Sequence, residues 1–200
     1  EKAIGFVIDR TAPVLNSVTI TPSTSASSYS NKLPKITWNV TEKNLLSIQV
    51  KVNNGNYAAL ADSNTGNATI GDLESEKVNT IAVRATDRAG NVSSEKKFTY
   101  YYDDDAPEID MKVIPDTDED KYDNSPDMPQ LEYSINDGTL KDYRLTVNGK
   151  SQTLLENKGT VTIENIEEGG NSIAISATDK AGNDTEEECL YYRDITNPTK

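Results

Sequence analysis

The sequence Ala-Thr-Asp-Arg-Ala-Gly-Asn at residues 85–91 occurs again 92 residues later as Ala-Thr-Asp-Lys-Ala-Gly-Asn at residues 177–183. Six of the seven positions are identical, and the seventh exchanges arginine for lysine. The match continues upstream at the same offset, where Ile-Ala-Val at 81–83 parallels Ile-Ala-Ile at 173–175. Self-similarity at a fixed period indicates two copies of one structural module.

A second repeated element marks the borders of the modules. An Asp stands four residues before a Pro at three places: Asp9 to Pro13, Asp103 to Pro107 and Asp194 to Pro198. Each pair follows an apolar or aromatic stretch of the kind that ends a strand. The borders predict four segments: residues 1–11 as the remnant of a preceding module with its linker, 12–102 as module 1, 103–194 as module 2, and 195–200 as the linker to a following module.

Within each module the apolar residues recur at every second position. Clear examples are Ile36, Trp38 and Val40 in the first copy and Leu131, Tyr133 and Ile135 in the second. This alternation is typical of strands with one buried and one solvated face. About seven short strands fit into a module of this length. The sequence therefore predicts an all-β fold of two tandem seven-strand antiparallel β-sandwiches.

The border motif and the Ala-Thr-Asp-x-Ala-Gly-Asn turn together resemble the bacterial immunoglobulin-like repeats of surface proteins and adhesins. Trp38, on the predicted second strand, also resembles fibronectin type III modules, which share the architecture. The chain departs from antibody-type domains because it has no cysteine pair and no tryptophan on the third strand. The resemblance implies immunoglobulin-like or fibronectin III-like sandwiches that serve as a spacer, stalk or adhesive module. It identifies no ligand.

The charge and cysteine content restrict the compartment and the partners. The chain has 20 basic and 33 acidic residues, a net charge of −13, which argues against nucleic acid because phosphate binding needs a basic stripe. No apolar run approaches the ~18 residues that span a bilayer, so membrane insertion is not expected. The single cysteine, Cys189, excludes an internal disulfide, which favours the exterior of a bacterium over a eukaryotic secreted protein.

The residue types argue against an enzyme. The chain has no histidine, so the usual proton shuttle of neutral-pH catalysis is missing. Cys189 follows Glu186, Glu187 and Glu188, carboxylates that raise a thiol pKa and keep it unreactive. Acidic residues abound, but no spacing singles out a catalytic carboxylate pair.

Calcium is the cofactor for which the sequence offers ligands, although the fold does not require one. In an antiparallel sandwich the turn between strands six and seven lies at the pole where the chain enters the module. Asp87 and Asn91 should therefore approach Asp9, and Asp179 and Asn183 should approach the linker residues Asp103, Asp104 and Asp105. Carboxylate and amide oxygens suit Ca²⁺. The alternative is turn chemistry alone, because Asp binds backbone amides and Gly supplies a positive φ.

A second metal candidate is the acidic stretch of residues 116–127. Asp116, Asp118 and Asp120 occupy positions 1, 3 and 5 of a calcium-loop pattern. However, the sixth position is Lys121 rather than Gly, and the twelfth is Asp127 rather than Glu. The alternative interpretation is a solvated loop.

The leading functional hypothesis is a non-catalytic spacer in a secreted or cell-surface bacterial protein, with neighbouring modules of the same chain as partners. One alternative is recognition of a cell-surface glycan or a host protein through the loops at residues 53–56 and 62–66. Another is an accessory domain of a larger extracellular enzyme. The tyrosines at residues 100–102 and 191–192 suggest only faintly a sugar-stacking platform, since neighbouring residues of a strand point to opposite faces.

Overall fold

The computed structural model describes residues 8–196. The predicted remnant at residues 1–11 and the predicted linker at 195–200 lie in part outside this range, at residues 1–7 and 197–200. The described chain consists of strands, turns and irregular segments, which confirms the all-β prediction. It divides into two compact units, Glu1–Asp104 and Asp105–Lys200, called unit 1 and unit 2 below.

Unit 1 contains a three-stranded sheet in the order β1-β2-β5 and a four-stranded sheet in the order β4-β3-β6-β7, both antiparallel. The strands are β1 (Val14–Thr21), β2 (Lys35–Thr41), β3 (Leu45–Val52), β4 (Ala58–Ala61), β5 (Thr65–Thr69), β6 (Lys77–Asp87) and β7 (Lys96–Tyr102).

Unit 2 repeats this order, with a three-stranded sheet β12-β9-β8 and a four-stranded sheet β11-β10-β13-β14, again antiparallel. The strands are β8 (Glu108–Ile114), β9 (Gln130–Asn136), β10 (Leu140–Val147), β11 (Lys150–Gln152), β12 (Lys158–Thr162), β13 (Gly169–Asp179) and β14 (Asp184–Arg193).

Each unit has a hydrophobic core of its own, because the alternating apolar residues of both sheets point inward. In unit 1, Ile36, Ile48 and Ile81 are fully buried, and Trp38 is 3% exposed. In unit 2 the corresponding cluster includes Leu131, Leu145, Ile173 and Tyr191. Burying a large apolar side chain contributes about 1.5–3 kcal/mol, so these residues supply most of the driving force for folding.

Trp38 requires a glycine on the neighbouring strand. Its indole nitrogen donates to the carbonyl of Ser63 at 2.9 Å, which satisfies the one polar atom of the ring. Gly66 pairs with Trp38 across β2 and β5, and a Cβ added at Gly66 would lie 2.6 Å from Cζ2 of the indole. The absence of a side chain at residue 66 therefore allows the ring to lie against β5.

The chain enters and leaves unit 1 at opposite ends of β7. The β6–β7 turn binds the incoming segment, since Asn91 donates to the carbonyl of Asp9 at 3.2 Å. At the other end of β7, the amide of Asp103 donates to the carbonyl of Ser30 at 3.1 Å. We call these ends the N-terminal and C-terminal poles; unit 2 has the same arrangement, with Asn183 bound to Asp105 and Asp194 to Asp123.

Candidate functional site

The β6–β7 turn of unit 1 is organised around the buried carboxylate of Asp87. Its Oδ1 accepts hydrogen bonds from the amides of Ala89 at 2.9 Å and Asn91 at 2.8 Å, and its Oδ2 accepts from Nδ2 of Asn91 at 2.8 Å. Gly90 has a φ of 89°, a conformation that favours glycine. The turn chemistry expected from the sequence is therefore present, and it leaves the carboxylate oriented by its own loop.

The same turn holds the segment that precedes β1. Nδ2 of Asn91 lies 3.2 Å from the carbonyl oxygen of Asp9 and 3.4 Å from that of Thr11. Asp9 in turn accepts the amide of Thr11 at 3.0 Å. Three of the residues singled out in the sequence, Asp9, Asp87 and Asn91, thus lie together at the N-terminal pole of unit 1.

A third carboxylate, which the sequence argument missed, joins this group. Glu42 lies in the β2–β3 turn, and carboxylate oxygens of Asp9, Glu42 and Asp87 lie within 4.8 Å of one another. Glu42 also accepts the amide of Asn44 at 2.8 Å. Counting strand reversals would have placed the β2–β3 turn at this pole, and the repeat supplies a carboxylate, Asp137, 95 residues after Glu42.

The oxygens of this cluster suit a hard cation. Ca²⁺ binds carboxylate oxygens at ~2.3–2.6 Å, so two of its ligands lie up to about 5 Å apart. Burial raises the pKa of Asp87, but hydrogen bonds from the Asn91 side chain and from three turn amides outweigh it, and the pKa lies below its ordinary value. Asp87 is therefore ionised at neutral pH. Each carboxylate oxygen has two lone pairs, so the turn hydrogen bonds leave sites for a cation.

Unit 2 builds the same turn at Asp179. Its Oδ1 accepts the amides of Ala181, Gly182 and Asn183 at 2.6–2.9 Å, and Oδ2 accepts Nδ2 of Asn183 at 2.7 Å. Asn183 also donates to the carbonyl of Asp105 at 2.8 Å. A carboxylate oxygen of Asp137 lies within 4.8 Å of one of Asp179.

The three linker aspartates have different roles in the two units. In unit 1, Asp103 is buried and accepts the hydroxyl of Ser75 at 3.3 Å, and the amide of Asp104 donates to that hydroxyl at 2.8 Å. Hydrogen bonds from Ser75 and Tyr102 hold the pKa of Asp104 below its usual value. Asp105 belongs to unit 2, where its carbonyl accepts the side chain of Asn183.

The acidic loop between β8 and β9 uses its carboxylates in turns. Oδ1 of Asp118 accepts the amide of Asp120 at 2.9 Å, and Asp118 and Lys121 exchange two backbone hydrogen bonds of 3.1 Å. Asp116 precedes this turn. Within residues 8–196, these residues are not part of a group of three carboxylates with oxygens inside 4.8 Å, unlike Asp9, Glu42 and Asp87.

The tyrosines do not form a flat stacking surface. Tyr100, Tyr102 and Tyr191 are buried in the sandwiches. The exposed faces instead carry two pairs, Tyr29 with Tyr101 and Tyr122 with Tyr192, each with ring centroids 5.3 Å apart. Their planes are inclined by 73° and 58°, so neither pair offers the coplanar platform on which a sugar ring would stack.

Of the two loops proposed for recognition, one lines a groove. Asn53, Asn54 and Asn56 line a cavity of about 560 Å³ in unit 1, together with Leu60 and Asp72. The second loop, residues 62–66, lies instead against the tryptophan, because Ser63 accepts the Trp38 indole nitrogen. Cys189 is an unsuitable nucleophile, since burial and the neighbouring Glu188 raise its pKa to about 11.

Comparison with known proteins supplies structural likenesses only. No family model and no curated protein matches the chain. The fibronectin(III)-like modules of Clostridium thermocellum CbhA are 14% identical, over 88% of this chain and 94% of theirs, with a TM-score of 0.39. A 1.5-MDa bacterial ice-binding adhesin is 15% identical over 92% of this chain and 65% of its own, with a TM-score of 0.41.

The D00-D0 domain of Intimin is 13% identical over 88% of this chain and 99% of its own, with a TM-score of 0.35. These neighbours are fibronectin III-like modules and bacterial adhesin domains, in line with the fold described above. Function does not follow from likeness at this level. Residues 8–196 contain no helix long and apolar enough to cross a bilayer.

Proposed function

We propose that the chain is a non-catalytic spacer within a larger secreted or cell-surface bacterial protein, such as an adhesin. The observation that carries the proposal is the position of the two chain ends in each unit. In unit 1 the chain is bound at the β6–β7 turn by Asn91 and leaves beyond Tyr102, at the far end of β7. A unit built this way adds its own length to the chain that contains it, as a spacer must.

The attachments at both poles support this role. At the N-terminal pole the Asn91 side chain binds two carbonyls of the incoming segment, those of Asp9 and Thr11. At the C-terminal pole Ser75 binds both Asp103 and Asp104. Hydrogen bonds of this kind restrict the residues that flank a unit, so a pulling force is transmitted to the folded sandwich.

We further propose that Ca²⁺ binds at the N-terminal pole of unit 1 without being required for folding. Asp9, Glu42 and Asp87 supply carboxylate oxygens within 4.8 Å of one another. A cation there would relieve the repulsion among three carboxylates. It would also join the incoming segment to the β2–β3 and β6–β7 turns, which would stiffen the pole.

Pulling the chain from its two ends tests the spacer proposal. Because each unit has its own core, we expect two separate unfolding events, each releasing about 300 Å for ~90 residues. The variant Gly66→Ala should lower the force of only one event, since it affects unit 1 alone. Extension without a resolvable unfolding force would contradict a load-bearing spacer.

A second candidate, recognition of a glycan or host protein, is favoured by the groove lined by Asn53, Asn54 and Asn56 in unit 1. Side-chain amides are suitable partners for sugar hydroxyls. A glycan array tests it: binding that is lost in Asn54→Ala would support recognition over a purely mechanical role. The proposal of an accessory domain in an extracellular enzyme remains a third candidate, with the host's catalytic domain elsewhere in the protein.

A further inference from the structure

The two units differ sharply in charge although they share one fold. Residues 1–104 contain 11 basic and 11 acidic side chains, whereas residues 105–200 contain 9 basic and 22 acidic ones. Unit 1 is therefore neutral, and the whole net charge of −13 belongs to unit 2. A shared spacer role does not require this asymmetry, since either charge distribution would keep a sandwich soluble.

The difference includes a reversal of sign on one strand of each unit. In β7, Lys97 pairs with Ala82 and Lys96 with Val83. At the same positions of β14, Glu188 pairs with Ala174 and Glu187 with Ile175. All four charged side chains are exposed. Equivalent positions thus carry two positive charges in unit 1 and two negative charges in unit 2.

Both strands lie at an edge of their four-stranded sheet. Near the C-terminal pole a loop covers this edge, through a parallel bridge between Ser30 and Tyr102 in unit 1 and between Asp123 and Arg193 in unit 2. The charged residues lie on the other half of each strand, away from these bridges. An edge strand presents backbone N–H and C=O groups to another chain, and its side-chain charges decide which chains can approach.

We propose that the β7 edge of unit 1 binds the β14 edge of unit 2 in a second copy of this chain. Opposite charges that face each other across paired strands are stabilising, and like charges are destabilising. Lysines on β7 repel another β7, and glutamates on β14 repel another β14. The unlike pair is the one combination in which the charges of Lys96 and Lys97 meet those of Glu187 and Glu188.

The contacts of these side chains within one copy are weak enough to be exchanged. Lys97 forms an ion pair with Glu95 at 3.0 Å, but the lysine side chain is 64% exposed. Solvent-exposed pairs of this kind contribute little. Glu188 accepts the hydroxyl of Ser172, and Glu187 has an exposed side chain on the same strand. A partner edge can therefore compete for these charges.

The expected contact is small and sensitive to salt. Four or five strand residues extend over about 15 Å, which gives an area well below the ~800 Å² per partner of a standard interface. Association should therefore be weak. It should be strongest at an ionic strength of about 0.01 M, where the Debye length is ~30 Å, and be lost near 1 M, where it is ~3 Å.

Sedimentation equilibrium of the full chain tests the proposal, at protein concentrations up to about 1 mM so that weak complexes are populated. The wild type should associate at low salt and be monomeric at high salt. Lys96→Glu/Lys97→Glu and Glu187→Lys/Glu188→Lys should each weaken association by about tenfold or more. An equimolar mixture of the two variants should associate again, because the reversed β7 edge of one complements the reversed β14 edge of the other.

A matched control separates this contact from net charge. Lys32→Glu/Lys35→Glu changes the total charge of unit 1 equally, at exposed positions before or at the start of β2. It should associate nearly as the wild type does. A monomeric wild type at low salt, an equal loss in the control, or a variant mixture that stays monomeric would each overturn the proposal. Circular dichroism of every variant shows that the sandwiches remain folded.

Discussion

Nδ2 of Asn91 lies 2.8 Å from the carboxylate oxygen Oδ2 of Asp87, so the two residues close the β6–β7 turn from within. The same nitrogen donates to the carbonyl of Asp9, which joins the turn to the incoming chain. Unit 2 repeats the relationship, with Asn183 lying 2.7 Å from Asp179 and 2.8 Å from the carbonyl of Asp105. One asparagine side chain therefore serves both the local turn and the attachment of a unit to its flanking segment.

Removing this side chain should destabilise unit 1. Asn91→Ala leaves the buried Oδ2 of Asp87 without its side-chain donor, and we expect a melting temperature lower by roughly 5 °C. Trp38, the single tryptophan, lies in the core of unit 1, so its fluorescence follows that unit alone. Asn67→Ala, at an exposed position of β5, is the control. Equal shifts in the two variants would show that the turn contact is unimportant.

Calcium should stabilise unit 1 if the proposed site is correct. A ligand that binds only the folded state at 100 times its Kd adds about 2.7 kcal/mol, which Trp38 fluorescence would record as a higher melting temperature. Glu42→Gln should abolish most of the calcium effect, because it removes one of the three carboxylates. Glu74→Gln is the matched control, since Glu74 lies near the other pole, where it pairs with Lys77. No shift with excess calcium would exclude the site.

Gly66 should tolerate no side chain. Its missing Cβ would lie 2.6 Å from the Trp38 ring, so Gly66→Ala should cost about 1–3 kcal/mol of the free energy of unfolding through overpacking. Gly71→Ala is the control, because a Cβ there would meet nothing within 4 Å. Chemical denaturation followed by Trp38 fluorescence measures both. A Gly66→Ala chain as stable as Gly71→Ala would contradict the close packing of the indole.

Acid should destabilise unit 1 through Asp87. The pKa of Asp87 in the folded chain lies below the unfolded value of 3.8, so its contribution is present above pH 3.8 and is lost as the pH falls through the lower folded value. Stability should therefore rise with pH in this range. Both Asp87→Asn and Asn91→Ala should flatten this dependence, the first by removing the titrating group and the second by removing a hydrogen bond that lowers its pKa. An unchanged slope would contradict the assignment.

The sandwich architecture could be predicted because the pattern is local. Ile36, Trp38 and Val40 alternate with polar residues, and successive strand residues face opposite sides, so burial follows directly from position. The turn at Asp87 was equally accessible, since an Asp binds amides within its own loop. The repeat at an offset of 92 residues then extended each inference to the second copy.

The sequence by itself determined the all-β class, the two copies of one module, and the residues of the β6–β7 turns. The tertiary structure alone decided that Glu42 joins Asp9 and Asp87, that Gly66 lies against Trp38, and that Tyr29 rather than a neighbouring tyrosine packs on Tyr101. The physical reason is the separation along the chain. Alternation and turn chemistry act over a few residues, whereas these contacts join segments 24 to 78 residues apart, which meet only when two sheets pack around a core.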